Sequence, residues 1–122
     1  MYGIGIDICE VKRFDRLKAK DGFLQRIFSE EEIAYCNARK NSSECFAVRF
    51  AAKEAFLKAL GTGLAKGVHF REIVIINGAL GKPDINLAGE TRMTFENMGL
   101  SKIFVSISHE RENAVAVVLI DK

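Results

Sequence analysis

The chain has 122 residues, 48% of them hydrophobic, and a formal net charge of +2 at neutral pH, so it is long enough to bury one core and too weakly basic to argue for a nucleic-acid partner. No apolar run reaches the roughly 18 residues that a membrane span needs, and the N-terminus lacks the basic-then-apolar layout of a signal peptide; a soluble cytoplasmic protein folded as one domain over residues 1–122 is the expectation. Cys9, Cys36 and Cys45 are odd in number, with neither C-x-x-C spacing nor a histidine nearby, which argues against disulfides and zinc and for reduced thiols.

In "MYGIGIDI", Tyr2, Ile4, Ile6 and Ile8 alternate with Gly3, Gly5 and Asp7, which predicts a strand packed on its apolar side, the other face being nearly bare around Asp7. From Glu10 to about Lys20 the period turns helical, and "FSEEEIAYCNARK" begins a second helix with Ser29 as N-cap and Glu32 completing a capping box. The strongest helical pattern runs from about Ser43 to Leu60, where Phe46, Phe50, Leu57 and Leu60 share one stripe and Gly61 stands where a helix stops. Beyond it, "EIVIIN" and "KPDINL" read as strands separated by "GALG", and "AGETRMTFENMG" as a modest helix. "KIFVSISH" and "AVAVVLI" form a closing strand pair, and the whole order predicts an α+β fold over regular βαβ alternation.

On the long helix, Glu54 and Lys58 lie together beside the apolar stripe, with Ala47, Ala51 and Ala55 on their side, small enough to let another surface come close. Taken alone, the pair is an ordinary i,i+4 ion pair that needs no ligand. Lys53 falls within the stripe between Phe50 and Leu57, so it must snorkel, pair or reach a bound anion. "GTG", followed by Lys66 and Gly67, is either a plain glycine cap or a turn that shows backbone N–H groups to phosphate; the spacing of a Walker loop is absent. Asp7 either starts a turn or faces a cleft. Ser106, Ser108 and His109 are the remaining polar cluster; the histidine either packs or faces solvent, as a lone histidine commonly does, or contacts a phosphate from its place after "SIS" at a strand end, and a nucleophilic Ser-His-Asp arrangement has little support.

The segments "GIGIDICEVKRF", "FSEEEIAYC", "RFAAKEAFLKALGTG", "GKP" and "VSISHERENAVAVV" resemble, in order and spacing, the short single-domain holo-(acyl-carrier-protein) synthases of the 4'-phosphopantetheinyl transferase superfamily. The larger two-lobed members carry a Trp ahead of their Lys-Glu; this chain has none, and Arg49-Phe50 fits the short class. The resemblance implies a mostly antiparallel sheet packed with a long helix and shorter helices. It also implies transfer of 4'-phosphopantetheine from coenzyme A to a serine of apo acyl carrier protein, leaving adenosine 3',5'-bisphosphate. By the same resemblance Asp7 and Glu54 hold Mg²⁺ on the coenzyme A diphosphate, and Lys58 neutralises phosphate charge as it develops. Arg49, Gly61, Thr62, Gly63, Lys82, Pro83, Ser108 and His109 are implied around the adenosine and its phosphates.

Arg13, on a first helix that also carries Lys12, Arg16 and Lys20, is implied as a contact for the acidic carrier protein. The short class implies a homotrimer with its sites between subunits; if the cleft is shared, Asp7, Glu54 and Lys58 could come from one chain and contacts such as Arg49 or His109 from its neighbour, and the sequence does not say which residues each subunit supplies. The general base stays open among a metal-bound water, Glu54 and a neighbouring acid. Two other readings remain: a coenzyme A or nucleotide binding module without turnover, and a small nucleic-acid-binding protein using "VKRFDRLKAK".

Overall fold

A computed structural model describes residues 1–122. Its elements are β1 (Gly3–Glu10), α1 (Arg13–Leu17), α2 (Phe23–Ile27), α3 (Glu30–Asn37), α4 (Ser42–Leu60), a 3-10 turn (Phe70–Glu72), β2 (Ile73–Asn77), β3 (Pro83–Leu87), α5 (Gly89–Asn97), β4 (Lys102–His109) and β5 (Asn113–Asp121). One antiparallel sheet runs β1-β5-β4, and β2 and β3 form a separate antiparallel hairpin. The α+β expectation is met, with α4 lying across β1 and β5 as the central support. No helix is long and apolar enough to cross a membrane.

The core lies between α4 and the inner face of the sheet, where β5 contributes Ala114, Ala116, Val118 and Ile120 and α4 contributes Phe46, Phe56, Leu60 and its alanines, all buried. A phenylalanine cluster then pins the short helices to α4: Phe14 of α1 and Phe28, just after α2, both meet Phe46, the rings of Phe28 and Phe46 lying 5.0 Å apart. Ser29 accepts from the Glu32 N–H and the Glu32 carboxylate accepts from the Ser29 N–H, so the expected capping box opens α3. Gly61 closes α4 in the left-handed conformation at φ 84°, donating its N–H to Leu57.

Lys53 pairs. Its ammonium is fully buried, 2.8 Å from Glu32 Oε1 and 2.8 Å from the Phe70 carbonyl, and it also donates to the Ile73 carbonyl. Glu32 Oε2 accepts from the Ile75 N–H, so a single ion pair ties α3 and α4 to the start of β2. Burial pushes the Lys53 ammonium down to about 8 while the Glu32 charge works against that shift.

Three expectations are corrected. The packed side of β1 is the glycine side: Ile4, Ile6 and Ile8 are 60%, 61% and 65% exposed, and Cys9, on the glycine side, is buried. The reason is the closeness of β1 to α4, since a Cβ on Gly3 would lie 2.0 Å from the Ala59 carbonyl oxygen and no side chain fits in the gap. The first helix is shorter than the sequence period suggests, because Glu10 is still strand and Gly22, at φ 74°, separates α1 from a distinct α2. Of Lys12, Arg16 and Lys20, expected on one first helix, only Arg16 lies within α1.

Cys36 and Cys45 form a disulfide, contrary to the expected reduced thiols, and only buried Cys9 is free. The return of the chain from α3 into α4 brings their Cα atoms to 5.4 Å, a tertiary approach that no spacing rule reports.

Candidate active site

Because Gly3 and Gly5 let β1 lie against the α4 backbone, the next residue on the same strand face, Asp7, arrives beside Glu54 and Lys58. Lys58 Nζ donates to Asp7 Oδ1 at 3.1 Å and to the Ile6 carbonyl at 2.9 Å. The helix i,i+4 reading is thereby set aside, since Lys58 reaches across to the strand and Glu54 has no ion-pair partner within 4 Å. The Glu54 carboxyl is raised above the usual carboxylate range, first by burial and then by the charge of Asp7, with Lys58 and Arg13 opposing.

Two carboxylates that disfavour one another, one without a cationic partner, are a donor set suited to a hard divalent cation. No group of three or more His, Cys, Asp or Glu side chains gathers anywhere in the chain, so such a cation would draw its remaining ligands from water and substrate. Asp7 and Glu54 fit Mg²⁺ on these grounds. The Gly61–Gly63 turn follows one helical turn beyond Lys58; Gly61 and Gly63 both have positive φ, and the space where their Cβ atoms would stand is open. The turn is therefore a helix cap that also leaves backbone room for a ligand. Thr62 Oγ1 donates to the Gly63 carbonyl.

A second cluster surrounds a cleft of about 580 Å³ at the other end of α4. Arg49 is only 5% exposed, yet it has no carboxylate within 4 Å. Its Nη2 donates to Asn77 Oδ1 at 2.7 Å, its Nη1 to Cys45 Sγ at 3.4 Å, and its guanidinium lies 4.6 Å from the centre of the Tyr35 ring. Its Nε has no partner. Burial pushes the guanidinium below its ordinary value, against the charge of Glu32. A buried cation without an anion, in a cleft also lined by Arg39, Lys40 and His109, is arranged to receive negative charge.

His109 Nδ1 lies 3.1 Å from Glu44 Oε1 at the rim, and Gly81 and Pro83 form part of the wall. Lys82 is exposed and is not part of that wall. Ser108 pairs in register with Val115 and, by strand alternation from Ile107 and His109, lies on the outer face of the sheet, away from the cleft. Ser108 and His109 are thus neighbours in sequence that do not share a site within one chain.

Arg49 and Lys58 are nine residues apart on one helix, about 14 Å along its axis. The single chain therefore holds two separate clusters: Asp7, Glu54 and Lys58 with the glycine turn at one end, and Arg49, Pro83 and His109 at the other. Arg13 stands near the first, close enough for its charge to act on Glu54. Tyr35, Arg39 and Asn77 were not singled out from the sequence; the aromatic in "AYC" and the asparagine before "GALG" carry no local signal of their partnership with Arg49.

The chain matches the family model described as the 4'-phosphopantetheinyl transferase superfamily over residues 3–118. It is 47% identical to the holo-[acyl-carrier-protein] synthase of Geotalea daltonii, the alignment covering 100% of this chain and 99% of that protein. Among solved structures it resembles the holo-[acyl-carrier-protein] synthase of Neisseria meningitidis with a TM-score of 0.92 and 40% identity, over 100% of this chain and 99% of the other. It also resembles the Helicobacter pylori synthase solved in complex with coenzyme A, with a TM-score of 0.82 and 34% identity over 97% and 99% of the two chains.

Proposed function

The chain belongs to the 4'-phosphopantetheinyl transferase superfamily, and from that premise we propose that it is the enzyme that transfers 4'-phosphopantetheine from coenzyme A to a serine of apo acyl carrier protein. The serine oxygen attacks the phosphorus next to the pantetheine, the bond from that phosphorus to the bridging oxygen breaks, and adenosine 3',5'-bisphosphate leaves with the electron pair. The serine proton passes to a base. The observation that carries the reading is the Lys58–Asp7 contact beside an unpaired Glu54, which sets one cation and two carboxylates where a diphosphate and its metal would sit.

Asp7 and Glu54 would hold Mg²⁺, which when bound supplies charge neutralisation on the diphosphate. Lys58, partly exposed and steadied by Asp7 and the Ile6 carbonyl, offsets the charge that develops on the transferring phosphoryl oxygens. Arg49 would pair with a phosphate of coenzyme A, with Pro83 and His109 beside the nucleotide. The Gly61–Gly63 turn, Lys82 and Ser108 belong to the same binding surface only if a second copy contributes, because one chain does not gather them.

That separation supports a homotrimer with shared sites. The outer face of the β1-β5-β4 sheet carries Ile4, Ile6, Ile8 and Phe104, all exposed in the single chain, in register with Val115, Val117 and Leu119. A neighbouring copy covering this face would remove apolar surface from water while bringing one chain's cleft to another's carboxylates. Arg13, exposed and close enough for its charge to act on Glu54, would receive an acidic carrier protein beside the chemistry. Location in the cytoplasm belongs to the same reading. The test is release of adenosine 3',5'-bisphosphate from coenzyme A in the presence of apo carrier protein and Mg²⁺; a folded enzyme that releases none would overturn the assignment.

A further inference from the structure

We infer that Asn77 is a positioning residue for coenzyme A binding, holding the Arg49 guanidinium aimed into the cleft. The inference deepens the proposed function and rests on its reading of Arg49 as a phosphate-binding group. Arginine has five N–H donors, and here the Asn77 carbonyl, at 2.7 Å, is the closest acceptor any of them meets, with the Tyr35 hydroxyl adding a weaker interaction and Nε left without a partner. Cys45 Sγ at 3.4 Å is a weak acceptor, and the Tyr35 ring supports the guanidinium plane without fixing its rotation.

Asn77 is itself held. Its Nδ2 donates to the Gly81 carbonyl at 3.2 Å, which fixes the amide so that Oδ1 meets Arg49. It ends β2 opposite Pro83, and the turn between them is closed by the Gly78 N–H donating to the Lys82 carbonyl at 2.7 Å. The hairpin thus presents one acceptor to a cation on α4, and does so before any ligand arrives. A bidentate phosphate contact depends on the fork being oriented in advance, because a guanidinium free to rotate must be ordered at the expense of affinity. An amide suits the task better than a carboxylate: it orients the fork and leaves its positive charge uncancelled for the incoming anion.

The experiment measures coenzyme A affinity by calorimetry and the KM for coenzyme A in parent, Asn77→Ala, Arg49→Ala and the double variant. Asn77→Ala is expected to weaken coenzyme A about tenfold, the loss of one charge-assisted hydrogen bond, with kcat at saturation and the KM for carrier protein changing much less. Because Asn77 acts through Arg49, adding Asn77→Ala to Arg49→Ala is expected to weaken binding no further. Asn77→Asp keeps the acceptor and the size but neutralises the guanidinium, and is expected to weaken coenzyme A by more than Asn77→Ala. Should Asn77→Ala fail to fold, Asn77→Ser takes its place in both the parent and Arg49→Ala backgrounds: parental affinity refutes the inference, and a loss confined to chains that keep Arg49 supports it. Parental affinity in a folded Asn77→Ala, or a full additional loss on top of Arg49→Ala, overturns it while leaving the proposed function standing. A parent that binds no coenzyme A overturns both.

Discussion

Gly5 lies so close to Ala55 that a Cβ on the glycine would fall 2.1 Å from the Ala55 carbonyl oxygen and 2.9 Å from the Cβ of Lys58. The backbone of β1 rests on the backbone of α4, and that contact sets the distance from which Lys58 reaches Asp7.

Gly5→Ala is therefore expected to push β1 off the helix at its catalytic end. The clash is with backbone, so the cost belongs at or above the upper part of the range for overpacking, about 3 kcal/mol. Transfer activity should fall further than stability, because Asp7 moves with the strand. Thermal unfolding and steady-state rates on the folded fraction check this; a variant with parental rate and stability would contradict the packing account.

Lys53 and Glu32 form a buried pair, each also bound to backbone groups of its own, so removing either leaves a buried charge uncompensated. Lys53→Met and Glu32→Leu are each expected to destabilise by about 3–5 kcal/mol, and the double variant by clearly less than the sum. The pair also sets a pH dependence. The folded-state value of Lys53, about 8, lies below its ordinary 10.5, so between these values the unfolded chain holds a proton that the folded chain has released. The contribution of Lys53 to stability thus rises with pH across that window. Denaturant unfolding from pH 7 to 10 should show the parent gaining on Lys53→Met as pH climbs; a narrowing gap would refute the sign.

What could be read from the chain and what could not divides along the range of the interactions. The α4 helix with its Gly61 stop, the Ser29–Glu32 capping box and the β2–β3 hairpin are local patterns, and each is present. The exposed side of β1 is the opposite of what its pattern predicts, because hydrophobicity names the apolar face, whereas the spacing to α4 decides which face can be buried there. The Cys36–Cys45 bridge and the Asn77–Arg49 bond join residues from different elements, and no periodicity reports them. At the site, Glu54 and Lys58 stood out as a pair on one helix, yet the partner Lys58 takes is Asp7, 51 positions away.

Arg13 stands on the exposed side of α1 and acts on Glu54 by charge. Arg13→Glu should raise the KM for the acidic carrier protein by about tenfold and leave the KM for coenzyme A nearly unchanged, with the effect shrinking as salt is added. Equal effects on both substrates would remove it from docking.

The two clusters on α4 predict complementation. Glu54→Ala chains and His109→Ala chains, each poorly active alone, are expected to regain transfer when unfolded together and co-refolded, since a mixed assembly rebuilds an intact site between subunits. Sedimentation should give a trimer for the parent. A fully active monomer, or mixtures no better than their parents, would contradict a shared site.

The most direct measurement of the central claim is the intact mass of an apo acyl carrier protein after incubation with coenzyme A, Mg²⁺ and the enzyme. The account predicts that the carrier gains one phosphopantetheine with the parent, gains none with folded Asp7→Ala or Glu54→Ala, and gains it slowly with Lys58→Ala, whose loss lowers kcat more than metal binding. An unchanged carrier mass with the parent, or full conversion by either carboxylate variant, would contradict it.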